Sequence, residues 1–103
     1  MLIVTMDSIP GKEIEALGLV KGSMIKSVNV GKDIAAGLKT FVGGEIKGYT
    51  KMMDDSRNIA TERMTEQAEE LGADAIVAVR YASASAMQGA SEVMAYGTAV
   101  KFK

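Results

Sequence analysis

The chain contains no cysteine and no histidine. Without cysteine there is no disulfide framework and no thiol chemistry. Without histidine the usual general base near neutral pH is missing, and so is the commonest transition-metal ligand. Aromatic residues make up only 5% of the 103 residues, so the core must be built from Ala, Val, Ile, Leu and Met with few large anchors. The formal net charge is −1, and no basic patch points to a nucleic-acid partner. The apolar runs are far too short to span a bilayer. Met1-Leu-Ile-Val4 reads as an opening strand and not as a signal peptide, since a basic n-region and a cleavage site are missing. The expectation is one soluble, cytoplasmic domain over residues 1–103, with no membrane contact and a modest core.

What is present is organised around Gly43–Tyr81. At about 100° per residue, Ile46, Tyr49, Met53, Ala60, Met64 and Leu71 fall within one narrow stripe, with Lys51, Asp55, Asn58, Thr65 and Glu69 opposite. This predicts a long amphipathic helix from about Ile46 to Leu71, with Gly72 in the left-handed position just past its end. Glu62, Glu66 and Glu70 form a like-charged row, so packing of the stripe has to hold the helix. Met52 and Ile59 add a second apolar shoulder beside the stripe.

Asp74–Tyr81 reads as a strand that is apolar on both faces, with Ala75, Val77 and Val79 on one side and Ile76 and Ala78 on the other. One helix covers only one face, so the other is expected to need a second copy of the chain. Leu2–Met6 is β-prone, and Asp7–Gly11 is a turn punctuated by Pro10-Gly11. Ile14–Val20 reads as extended, Lys21-Gly22 as a turn or kink, and Met24–Val30 as a further strand. Ile34, Leu38 and Phe41 predict a short helix over residues 32–41. Ala82–Ala90 reads as a mobile loop of small residues, and Glu92–Lys103 as the last strand. In that strand Val93, Ala95, Gly97 and Ala99 form a small-residue face that admits close approach of other backbone. The class is α+β: an antiparallel or mixed sheet packed on one long helix, with an N-terminal β region and a short extra helix.

Several stretches together resemble the YbjQ-like family: Ser8-Ile-Pro-Gly11, Gly31-Lys-Asp-Ile34, Gly43-Gly-Glu-Ile-Lys-Gly-Tyr-Thr50, Arg57, Ala60, Glu62-Arg63-Met64, Leu71-Gly-Ala-Asp-Ala75 and Ala95-Tyr-Gly-Thr-Ala-Val100. The resemblance spans nearly the whole chain. It implies a dodecin-like β-α-β-β unit assembled into a homopentamer. The family is bacterial and archaeal and has no established activity, although some of its descriptions carry a heavy-metal-binding label.

The residues themselves argue against most chemistry. Gly11-Lys12 and Gly31-Lys32 are not phosphate loops, because Glu13 and Asp33 stand where a Walker A hydroxyl belongs. A structural zinc site needs about four Cys or His ligands, and neither type exists here. The eight methionines are scattered, and Met52, Met53 and Met64 sit at core-filling helical spacing. Asp54-Asp55 reads as a solvated helix face. No metal ligand set is assigned, no cofactor is expected, and serines without an activating histidine argue against an enzyme.

Arg57 and Arg63 flank the apolar stripe, and Gln67 lies within it. Their structural reading is pairing within or between subunits, to Glu45 or to the terminal-strand backbone, with at least one arginine buried. Their functional reading is a small-anion site, since guanidinium forks match carboxylate or phosphate. Any ligand-binding site is expected at Glu45, Tyr49, Arg57, Arg63 and Tyr96. Two functional classes follow. One is a homo-oligomeric module that binds a small ligand or ion without catalysis. The other is a scaffold that binds a macromolecule, or a metal held by inter-subunit ligands.

Overall fold

The computed structural model describes residues 1–27, 41–42 and 45–103, apart from the side chains of residues 41, 42, 45–47 and 49. The elements are β1 (Leu2–Ile3), β2 (Ile14–Ser27), β3 (Phe41–Val42), β4 (Glu45–Ile46), α1 (Lys47–Glu70), β5 (Ala75–Met87) and β6 (Ala90–Phe102). Four strands make one mixed sheet in the order β1-β5-β6-β2, and β3 pairs with β4 separately. The fold is α+β, with α1 packed on one face of the larger sheet. Most of the expected short helix, residues 32–40, lies outside the described residues. Its last residue, Phe41, belongs to β3.

The long helix forms where its periodicity placed it. Ala60, Met64 and Ala68 are fully buried, and Met53 packs beside them. Gly72 adopts φ 75°, as a left-handed cap requires. Its N–H donates to the Glu69 carbonyl, and the Ala73 N–H donates to the Ala68 carbonyl, both at 3.0 Å. This pair of bonds is a Schellman motif, which satisfies carbonyls left open at a helix end. Leu71 is half exposed, contrary to the stripe, because it follows the last helical turn. Ser56 takes an inner position instead, and its hydroxyl donates back to the Met52 carbonyl at 2.9 Å.

Gly22 is neither a turn nor a kink. β2 runs unbroken past it, with one irregularity between Ala16 and Gly18. Gly22 is buried directly under α1. A Cβ there would collide with the Ala60 carbonyl and the Met64 amide, and would lie 2.7 Å from Arg63 Cβ. A glycine inside strand text thus marks close approach of another backbone.

β5 also departs from its expected alternation. Between Val77 and Arg80 its register against β6 shifts by one residue, and Ala78 adopts φ 53°. This bulge turns Val79 to the same face as Ile76, in the core under α1. Ala75 and Val77 face the other way, with Val100. That second face is covered by the chain's own N-terminal segment, where Val4 and Ile9 pack against it. The expectation that a second copy is needed to cover it is therefore corrected. The segment is sewn to the bulge: the Ala78 N–H donates to the Met6 carbonyl at 2.7 Å and the Val79 N–H to the Val4 carbonyl at 3.0 Å. Gly11, at φ 78°, closes the Pro10-Gly11 turn, and the Lys12 N–H donates to the Ile9 carbonyl.

Ala82–Ala90 is not a mobile loop. β5 continues to Met87, Gln88-Gly89 makes the turn, and β6 starts at Ala90. Gly89 at φ 78° provides the left-handed residue of this turn. Small residues bury little and so resemble loop text, yet the ladder to β6 needs only their backbone. The small-residue face of β6 is as expected: Val93, Ala95, Gly97 and Ala99 are all buried.

Candidate functional site

Of the five candidate residues, the side chains of Arg57, Arg63 and Tyr96 are described, and they stand on two faces of the sheet. Arg57 lies on α1 and donates to Asp54 Oδ1 at 2.8 Å, with its side chain 40% exposed. Arg63 is six residues further on, about 9 Å along the axis at a rise of about 1.5 Å per residue. Its Nη1 donates to the Ser23 carbonyl at 2.6 Å. Tyr96 is paired in register with Lys21 and Arg80, on the sheet face turned away from α1. Glu45 pairs with Val42 across the small hairpin, and Tyr49 lies in the first turn of α1; their side chains lie outside the described residues. Neither arginine is buried within the single chain, so pairing inside one copy does not supply the expected buried arginine. Both partners sit at the surface, on the helix itself and on the β2 edge.

Arg63 and Gln67 act together on that edge. Gln67 Oε1 accepts the Lys21 N–H at 2.9 Å, and Arg63 takes the Ser23 carbonyl. Lys21 and Ser23 are two apart, so both turn their backbone groups outward, away from β6. Arg63 and Gln67 are four apart, so they rise from one face of the helix. The result is a two-point lock that pairs backbone groups which would otherwise face solvent. It borders a cleft of about 320 Å³ lined by Lys21, Gly22, Ser23, Arg63, Gln67 and Met94.

A second cleft of about 360 Å³ lies between the first half of α1 and the end of β2. Met24, Met52 and Ile59 form its apolar lining, with Lys26, Lys51 and Asp55 at its rim. Two thioethers suit a soft ion. Asp55, however, is already paired with Lys51 at 3.0 Å, and two lysine ammoniums oppose any cation. A third depression is lined by Thr61, Glu62, Thr65, Glu66 and Glu69 on the outer face of α1. Among the described residues no group of three or more His, Cys, Asp or Glu is placed to hold a metal ion. The described residues of one chain therefore do not fit a heavy-metal site. Nor is any described helix long and apolar enough to cross a membrane.

Sequence reasoning missed Gly22 and Ser23, which line the first cleft, and Met24, which lines the second. The signal was available in Gly22, a glycine flanked by strand text. The cleft walls were not legible, because they depend on where α1 crosses β2.

A family model described as "Putative heavy-metal-binding" matches residues 1–103. A UPF0145 protein of Clostridium novyi (strain NT) is 60% identical over 101 residues, covering 98% of each chain. A UPF0145 protein of Fervidobacterium nodosum is 56% identical over 104 residues, covering 100% of this chain and 96% of the relative. A crystal structure of a DUF74-family protein of unknown function from Pediococcus pentosaceus superposes with a TM-score of 0.76 at 19% identity. The superposition covers 100% of this chain and 98% of that one, and it speaks for the fold alone.

Proposed function

The chain belongs to the YbjQ (UPF0145) family, and on that premise we propose that it is a non-catalytic homo-oligomeric binding module that holds a small anion or ion between copies. The observation that carries this reading is the apolar side chains left bare on the sheet. Leu19 is 70% exposed, Ile25 60%, Met87 68% and Tyr96 37%. Leu19, Ile25 and Tyr96 share the sheet face away from α1, and an apolar patch on one face of a small domain marks a contact surface. The β2–α1–β5–β6 run is the dodecin-like unit of the family resemblance, and a ring of five copies is the assembly which that resemblance implies. Closed rings satisfy a repeated contact without open growth.

Binding between copies is favoured over binding within one. No described cleft gathers a complete ligand set, and the near donors of Arg57 and Arg63 are engaged within their own chain. A heavy metal held by ligands from several copies is the second reading, and the family's description favours it.

Native mass spectrometry of freshly purified protein tests the proposal. An oligomer carrying extra mass in fixed ratio to its subunits supports it, and the size of that mass separates an anion from a metal. A bare oligomer after isolation from cells would move the reading to a scaffold. A folded monomer at micromolar concentration would overturn the oligomer itself.

A further inference from the structure

The outer edge of β5 changes character halfway along. From Ala75 to Val79 it is paired or capped by the N-terminal segment. From Arg80 to Met87 every residue is exposed, and on that side no backbone partner exists among the described residues. The Val79 N–H points outward to Val4, so by alternation Tyr81, Ser83 and Ser85 also turn their N–H and C=O groups away from β6. The tract Tyr81-Ala-Ser-Ala-Ser-Ala-Met87 carries no charge and no proline. Folded proteins usually protect an exposed edge with charge, proline or cover. The opposite edge of the sheet has such protection, through Arg63 and Gln67 on β2. This edge has none.

We propose that residues 81–87 of β5 form the seam by which one copy joins the next, through strand addition to the end of β2 beyond the Arg63–Gln67 lock. This rests on the homo-oligomer reading above and names its contact. The occupant is a second copy because the two outer strands carry matching bare apolar groups. Met87 is exposed at the end of β5 and Ile25 at the end of β2, and their partners on β6, Ala90 and Glu92, are two apart, so both side chains stand on the sheet face away from α1. The neutral β5 tract also meets Lys26 of β2 without repulsion. Both tracts lie at the same end of the sheet, since Ser27 and Met87 each pair with Ala90. β2 and β5 are each antiparallel to β6 and so run in the same direction. A ring of such three-stranded arms would place β5 of one copy parallel to β2 of the next. That contact is head-to-tail and can close at an odd number of copies.

The test is sedimentation equilibrium of the full chain beside two variants. Ser83→Pro removes an outward N–H that the ladder to β6 does not use, and proline is tolerated on edges. The double variant Ser83→Lys, Ser85→Lys places charge on the same edge without touching the backbone. The expected result is a wild-type multimer, with both variants falling to the mass of a single chain while keeping the wild-type circular dichroism. If Ser83→Pro fails to fold, the lysine variant gives the answer alone. If the wild type is a multimer and the folded lysine variant retains its full mass, the seam is wrong and the oligomer stands. If the wild type is itself a folded monomer, whether or not another polypeptide binds the edge, both readings fall. Hydrogen exchange supplies a second readout: the amides of Tyr81, Ser83 and Ser85 should be protected in the multimer and unprotected in the variants.

Discussion

Gly22 of β2 and Ala60 of α1 touch backbone to backbone, with no room between them for a methyl group. This contact sets the height of the helix over the sheet. It lets Met64 and Ala68 reach Val20, Val93 and Ala95 in one core.

Gly22→Ala is therefore expected to destabilise the protein. Overpacking a close core contact costs about 1–3 kcal/mol, and more where both sides are backbone. Chemical denaturation should show a lower midpoint with an unchanged slope. An unchanged midpoint would mean that α1 can lift from β2 freely.

The edge lock predicts a different ranking for the polar residues of α1. Gln67→Ala and Arg63→Ala each remove a hydrogen bond to the β2 backbone, at a cost of about 0.5–1.5 kcal/mol. Arg57→Ala removes an exposed pair with Asp54 and should cost less than about 1 kcal/mol. Thermal melts of the three variants check the order. A larger loss for Arg57 would place its guanidinium in a contact that a single chain does not make.

Ala78→Gly should stabilise the fold. A left-handed alanine costs roughly 1–2 kcal/mol, which glycine avoids at some loss to chain entropy. A net gain of up to about 1 kcal/mol in denaturation is expected. A loss would show that the Ala78 methyl makes contacts worth more than its backbone strain.

Metal binding should require assembly. Equilibrium dialysis against Zn²⁺ or Cu⁺ at micromolar concentration is expected to show no stoichiometric uptake by dissociated chains. The motive is the lack of Cys and His and of any described carboxylate cluster. Stoichiometric uptake that survives dissociation would contradict it.

Local sequence was enough for α1, its glycine cap, the Pro10-Gly11 turn and the two-faced pattern of β6. Each of these rests on local periodicity or on a residue with a special backbone preference, and such signals survive without knowledge of neighbours. The remaining features depend on contacts between distant segments. Gly22 looked like a turn because a turn and a close helix crossing both call for a missing side chain. Val79 changed face because a bulge at Ala78, held by Val4 and Met6 some seventy residues earlier, resets the alternation of the strand. Ala82–Ala90 looked like a loop because its side chains carry no burial signal, while its order comes from backbone pairing with β6. The candidate ligand residues stand out by type alone, on one helix and two strands. The sheet divides them: Tyr96 lies on the face away from α1, while Arg57 and Arg63 are spent on Asp54 and Ser23. Which chemical groups meet is a property of long-range packing, and that is not written in the spacing of residues along the chain.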